Sequence, residues 1–371
     1  MRTSLIMVAG ALALVGAISQ ASGATAAGAA PRSGIPARCS TSFNPYQASA
    51  SLLRSCGDRV LRLKHVTALP GGGDAYDYGD YTVLVPPRHF NPLEASDMRL
   101  REYGMPTRKQ MGSGWRVLMR HYRYAEAPTP FLVEDPHVRA SAPRPKAILS
   151  PQACLPPSCS GNWTGYSISN PTPLGEVTAD WTEPHFISQG CSGDEFAQWV
   201  GIGGQTSPTD LGQDGTFFNV PTFKAHQGFI ETISNNSGPP VAASIDPAAG
   251  DSFFASTLWD SSNSWFSYLM MDNTTGAFYA AHSRVVTADQ TTAEVISEAP
   301  TNNGAITQLS DFQKVPVTNA TAYFAGRPFP FASSALTSHS ITMEDASGIV
   351  MADPGTLFSD SHFTTTWGAC K

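Results

Sequence analysis

The sequence predicts an all-β protein: an antiparallel β-sandwich or jelly roll, preceded by a small α+β segment. Three observations carry this. From Asn162 onward the chain is a series of short alternating stretches, broken by turn signals such as "DNTTG" and "NNSGPP". No helical periodicity of any length interrupts that series. The charge also changes sign along the chain. Residues 1–150 hold 18 Lys+Arg against 10 Asp+Glu, and residues 151–371 hold 5 against 20. An asymmetry of this size gives the two halves different roles.

The elements follow in order. "MRTSLIMVAGALALVGAISQASGATAAGAA" sets a basic start before an apolar run and then small residues. That is the pattern of a secretory signal peptide over residues 1–26, cut near Ala24–Ala26. The apolar run, about a dozen residues, is too short to span a membrane. Residues 27–38 are Ala/Gly/Pro-rich and read as disordered. Beyond Cys39, "SASLLRSCGDRVLRL" has helical periodicity, while "YTVLVPP" and "GWRVLMRHYRY" read as short strands. The stretch "EAPTPFLVEDPHVRASAPRPKAILSPQACLPPSCSGN" is dense in proline and reads as a linker open to proteolysis. The expected division is a prosegment over 27–138, a maturation region over 139–160 and a β-sandwich domain over 161–371. A basic prosegment attracts an acidic domain at neutral pH, and protonation of carboxylates weakens the attraction.

The six cysteines, Cys39, Cys56, Cys154, Cys159, Cys191 and Cys370, allow fifteen pairings. Proximity favours Cys39–Cys56 and Cys154–Cys159, which leaves Cys191–Cys370. An exported chain is free to form them. There is no CxxC pair and no HExxH stretch, so neither metal nor cofactor is expected. The expected product is a secreted monomer without nucleic-acid or membrane partners.

In the C-terminal half, "GEVTADWT" places Val177, Ala179 and Trp181 on one strand face. "FAQWVGIGG", "GFIETI", "DSFFASTLW", "SWFSYLMMD", "TTAEVISEAP", "ATAYFAG", "SITMED" and "HFTTTW" read as further strands. In "TAEVISEAP", Glu294 shares a half-buried face with Ile296, an unusual place for a carboxylate. Glu298 lies on the same alternation. Familiar hydrolase signals are missing: there is no GxSxG elbow, no Asp-Thr-Gly or Asp-Ser-Gly, and no triad spacing among His185, His226, His282, His339 and His362. Catalysis in this half must rest on carboxylates and amides.

Four stretches fall in a familiar order: "NWTGY" at Asn162–Tyr166, "QWVGIGG" at Gln198–Gly204, "LGQDG" at Leu211–Gly215, and "TAEVISEAP". With the ending "ITMEDASGIVMADPGTLFSDSHFTTTW", they resemble the glutamic peptidases, the eqolisin family, over roughly Ser160–Lys371. The resemblance implies a concanavalin-like sandwich that hydrolyses peptide bonds in acid. It implies Gln213, in a short Gln-x-Gly turn, and Glu294 as the catalytic pair. Trp199, Glu231, Phe229 and Gly204 become substrate-groove positions, and Gln205 is the rival to Gln213. Three positions depart from the family pattern. Gly203 stands for an aspartate, Val295 for a tryptophan and Phe229 for a tryptophan, which would thin the groove of aromatic and acidic side chains.

A glutamate and a glutamine suffice for this chemistry. A carboxylate serves as base and then, protonated, as acid. An amide donates N–H to an oxyanion while its C=O orients the attacking water. The expected partners are protein or peptide substrates and the chain's own prosegment as inhibitor. The alternative is a non-catalytic, lectin-like binding module, since sandwiches host both.

Overall fold

In a computed structural model, the residues described are 59–111, 114–122, 133–134, 158–170, 173–187, 194–205, 210–219, 223–234, 240–285, 288–302 and 305–370. The expected signal peptide, the disordered stretch, most of the linker with its cut, and Cys39, Cys56, Cys154 and Cys191 lie outside them. No described helix is long and apolar enough to cross a membrane.

The N-terminal part runs β1 (Arg59–Val60), β2 (His65–Ala68), β3 (Asp74–Asp77), β4 (Tyr81–Val85), α1 (Asp97–Glu102), α2 (Arg108–Met111), α3 (Gly114–His121) and β5 (Val133–Glu134). Then come β6 (Cys159–Ser160), β7 (Trp163–Ser169), β8 (Leu174–Thr182), β9 (Asp194–Gly203), β10 (Leu211–Asn219), β11 (Phe223–Ile233) and β12 (Val241–Ala242). They are followed by β13 (Ser252–Asp260), β14 (Trp265–Asp272), β15 (Phe278–Arg284) and β16 (Thr292–Glu298). Long strands at Lys314–Phe324 and Thr337–Glu344 and shorter ones at Val350–Asp353 and Phe363–Trp367 finish the chain.

Two antiparallel sheets result. The first runs β1–β5–β12–β11–β10–β9–β16–β7 and ends on Thr337–Glu344. The second runs β2–β3–β4–β15–β14–β13–β8, then Lys314–Phe324 and Phe363–Trp367. Strand alternation fills the space between them. Ile168, Val200, Ile202, Ile230, Ala293 and Val295 from the first sheet meet Val177, Ala179, Trp181, Phe253, Ala255, Tyr268 and Met270 from the second. One edge is joined by Thr337–Glu344, which pairs with β7 and then with Val350–Asp353, itself paired with Phe363–Trp367.

The other edge is joined by the N-terminal segment. It enters the first sheet at β1, crosses, and adds β2, β3 and β4 to the second beside β15. Tyr81 and Val83 face the sandwich core, while Leu84 faces outward. There α1 and α3 lay Leu100, Trp115, Leu118, Met119 and Tyr122 onto Phe254, Leu269, Met271 and Ala280, the outer face of the second sheet. Burying each such side chain stabilises by about 1.5–3 kcal/mol. The ion pairs Arg99–Glu102 and Arg108–Asp97 lie within the segment and at its surface, where such pairs contribute little. Strand pairing and apolar packing hold the segment to the rest.

Two local expectations are corrected. "GWRVLMRHYRY" is helical over Gly114–His121, because Trp115, Leu118, Met119 and Tyr122 recur at i, i+3, i+4 and i+7 and bury one face. In "SASLLRSCGDRVLRL" the described part is no helix: Arg59–Val60 is a strand, held by pairing with β5. The strands read in the C-terminal half are present.

Candidate active site

The register of the first sheet builds the site. Residues directly opposite on neighbouring strands share a face. Glu231 of β11 lies opposite Gln213 of β10, Gln213 opposite Gly201 of β9, Gly201 opposite Glu294 of β16, and Glu294 opposite Ser167 of β7. One row therefore crosses five strands: Glu231, Gln213, Gly201, Glu294, Ser167. Two residues along is a second row: Phe229, Gly215, Trp199, Ile296, Gly165. A third carries Phe217, Ala197, Glu298 and Trp163. All three lie on the face turned away from the other sheet.

Gln213 is not in a Gln-x-Gly turn. It sits inside the strand Leu211–Asn219, so the sheet itself fixes it. Its Nε2 donates to Glu231 Oε2 at 2.5 Å, and its Oε1 is buried without a partner. Glu294 is fully buried. Its Oε1 is 3.4 Å from Ser167 Oγ, and its Oε2 has no partner. Burial holds its pKa well above the carboxylate range, against the opposing effect of the nearby Thr292 and Ser167 hydroxyls. Between the two side chains stands Gly201. A Cβ there would fall 2.8 Å from Trp199 Cζ3 and 3.0 Å from Leu211 Cδ1, so only glycine fits. Two orphaned acceptors, Gln213 Oε1 and Glu294 Oε2, thus lie on the strands either side of Gly201, with Trp199 and Leu211 packed over the glycine between them.

The neighbours are carboxylates too. Burial pushes Glu231 up to about 7, with the Gln213 hydrogen bond opposing. Glu298 is pushed up to about 8 by burial and by Glu231. It accepts from Asn162 Nδ2 at 3.0 Å and from Trp199 Nε1 at 2.7 Å. Trp199 is fully buried and meets Trp163 edge to face, at 5.1 Å between centroids. Trp199→Phe removes one donor to Glu298. Its expected cost is about 1–3 kcal/mol and nearly equal at pH 4 and pH 7, because Glu298, raised to about 8, holds its proton at both, measured by denaturation at the two pH values.

Gln213, Glu294, Glu231, Trp199 and Phe229 are thus brought to one face. Gly204 lies past the end of β9, outside the three rows. Gln205 reaches the row from its far end, where Ser167 Oγ donates to its Oε1. Trp163 is on the same outer face, beside Glu298. Glu298 as the anchor of Trp199 was legible only as an alternation partner of Glu294.

The departures read differently in three dimensions. Val295 points into the sandwich core, so its exchange leaves the groove face unaltered. Gly203 has φ +84°, and a Cβ there would sit 2.2 Å from the Asp210 carbonyl oxygen. The local backbone excludes an aspartate at that place. Of the three departures only Phe229 lies in the rows on the outer face. Asp214, next to Gln213, points inward. It is fully buried, accepts from Thr257 Oγ1 at 2.7 Å, and burial raises its pKa well above the usual range. Among the described residues no group of three or more His, Cys, Asp or Glu is placed to hold a metal ion.

No curated protein matches the chain. Solved structures similar to it include scytalido-glutamic peptidase with a peptide-based transition-state analogue, at 19% identity, covering 56% of this chain and 98% of that one, TM-score 0.48. They also include SCP-B, an eqolisin in complex with the tripeptide Ala-Ile-His, at 19% identity, 56% and 98% coverage and TM-score 0.46. The aspergilloglutamic peptidase of Aspergillus niger matches at 23% identity, 47% and 99% coverage and TM-score 0.39. The model of the peptidase A4 family matches residues 161–367, the stretch that holds all three rows, and the chain belongs to that family of glutamic peptidases.

Proposed function

We propose that this chain is a secreted endopeptidase, made as a latent precursor, that hydrolyses peptide bonds in acid with Gln213 and Glu294. The carrying observation is the row Glu231–Gln213–Gly201–Glu294, with an orphaned acceptor on each side of the glycine. A water held there is oriented by Gln213 Oε1 and gives its proton to the Glu294 carboxylate. Its oxygen attacks the peptide carbonyl carbon. One hydrogen of Gln213 Nε2 is held by Glu231, and the second is free for the oxyanion. Glu294 then passes its proton to the leaving nitrogen as the C–N bond breaks.

Latency is supported by burial. Trp199 and Glu294 are fully enclosed and Gln213 is 4% exposed, so substrate cannot reach them in the full-length chain. A cut in the Pro-rich linker would open the groove and rehydrate Glu294. Its pKa would then fall toward the working range. The described cysteines, Cys159 and Cys370, are both disulfide-bonded, which supports export to an oxidising compartment.

The test is cleavage of an acid-denatured protein at about pH 3, after acid pre-incubation of the full-length chain. Peptides should appear together with a shorter form of the enzyme. Folded protein that releases no peptides would move the reading to a binding module. An uncut precursor with full activity would remove the latency.

A further inference from the structure

We infer that the N-terminal segment from β1 through β5 is a permanent second chain of the mature enzyme: after the linker is cut, it stays bound. This rests on the precursor reading above and concerns what its maturation leaves in place.

The segment is built into the sandwich. β4 pairs with β15 through Val83–Ala281, Thr82–His282 and Tyr81–Ser283. Tyr78, Tyr81 and Val83 belong to the same core as Trp181, Phe253 and Tyr279. Without the segment, Phe254, Leu269, Met271 and Ala280 would form an exposed apolar face, and β15 would become an open edge strand. Soluble proteins avoid both features. All four side chains are at most 2% exposed with the segment in place.

The segment also reaches the groove strand from behind. Tyr81 hydrogen-bonds Thr232, next to Glu231. Thr232 Oγ1 meets Tyr268 OH at 2.6 Å and Ser283 Oγ at 2.5 Å, and Tyr268 OH donates to the Glu231 carbonyl at 3.1 Å. Loss of Tyr81 would strip a partner from this buried network, which backs the residue that holds Gln213. Such networks lose most when half satisfied. Tyr81 is therefore a positioning residue for the first sheet.

The experiment uses the full chain with Glu294→Gln, so that it does not process itself, and with a sequence-specific protease site inserted after Arg139. After cutting, the sample is run on a native sizing column in acid and at neutral pH, and each peak is weighed intact under denaturing conditions. Two fragments in equal molar amounts within one native peak are expected, separating only in denaturant. An N-terminal fragment that elutes alone, leaving a soluble and folded C-terminal fragment, overturns the inference. So does aggregation of both fragments on cutting, because a retained chain keeps its partner soluble.

Discussion

Glu294→Gln lowers kcat by about 10²–10⁴-fold, the usual contribution of a general acid–base group. The same variant is more thermostable than the wild type at pH 7, with the gap closing in acid. The two effects share one cause. Glu294 is fully enclosed, and one carboxylate oxygen has no partner. Burial raises its pKa above the unfolded value, so the folded state holds a proton that the unfolded state releases. The stability it contributes is complete below the ordinary glutamate pKa and is lost as pH climbs toward the folded value. Glutamine cannot ionise and escapes that loss. Kinetics on a denatured substrate and thermal melts at pH 3 and pH 7 check both halves. Near-wild-type turnover would remove Glu294 from the chemistry. A stability gain of equal size at both pH values would show that its ionisation is of no consequence.

The wild-type chain should be most stable in acid and weaken steadily toward pH 8. Four buried or half-buried carboxyls act in the same direction. Glu231 and Glu298 are raised to about 7 and about 8, and Glu294 and Asp214 are raised well above their usual values, in each case first by burial. Raised folded values mean that unfolding releases protons between about pH 4 and pH 8, so stability falls as pH rises through that window. A tenfold difference in proton affinity between the folded and unfolded chain corresponds to about 1.4 kcal/mol, and partial hydration of Glu231 and Glu298 trims their share. A loss of roughly 3–6 kcal/mol from pH 4 to pH 8 is expected, a large part of a domain's stability. Self-repulsion of the acidic C-terminal half adds to it. Calorimetry across pH tests this: a melting temperature that is flat or rising over that range would contradict the burial of these groups.

Much of this architecture is legible in the sequence, because alternation is a local signal. Val177, Ala179 and Trp181 give away their strand, and the shared parity of Glu294, Ile296 and Glu298 places all three on one face. What could not be read is which strands are neighbours. Gly201 looks like one small residue among many until β10 and β16 flank it, and then it becomes the residue that separates Gln213 from Glu294. The inward turn of Asp214 follows from Gln213 being in a strand, and glycines on both sides hid that strand behind a turn signal. The α3 helix was masked by its β-branched and aromatic content, although its spacing is helical. The linkage of the N-terminal segment to both sheets is long-range and leaves no mark on composition.

The row of site residues has a kinetic consequence. Its members come from chain positions 167, 201, 213, 231 and 294, so Ser167 and Glu294 meet across 127 residues of chain. Contacts of such separation form late, because loop-closure entropy must be overcome before they stabilise anything. A partly folded or still-emerging chain can therefore hold every strand of the sheet locally and yet have no peptidase. The chain's first competent active site appears only once its β-sheet order is complete, which protects the nascent polypeptide from its own chemistry.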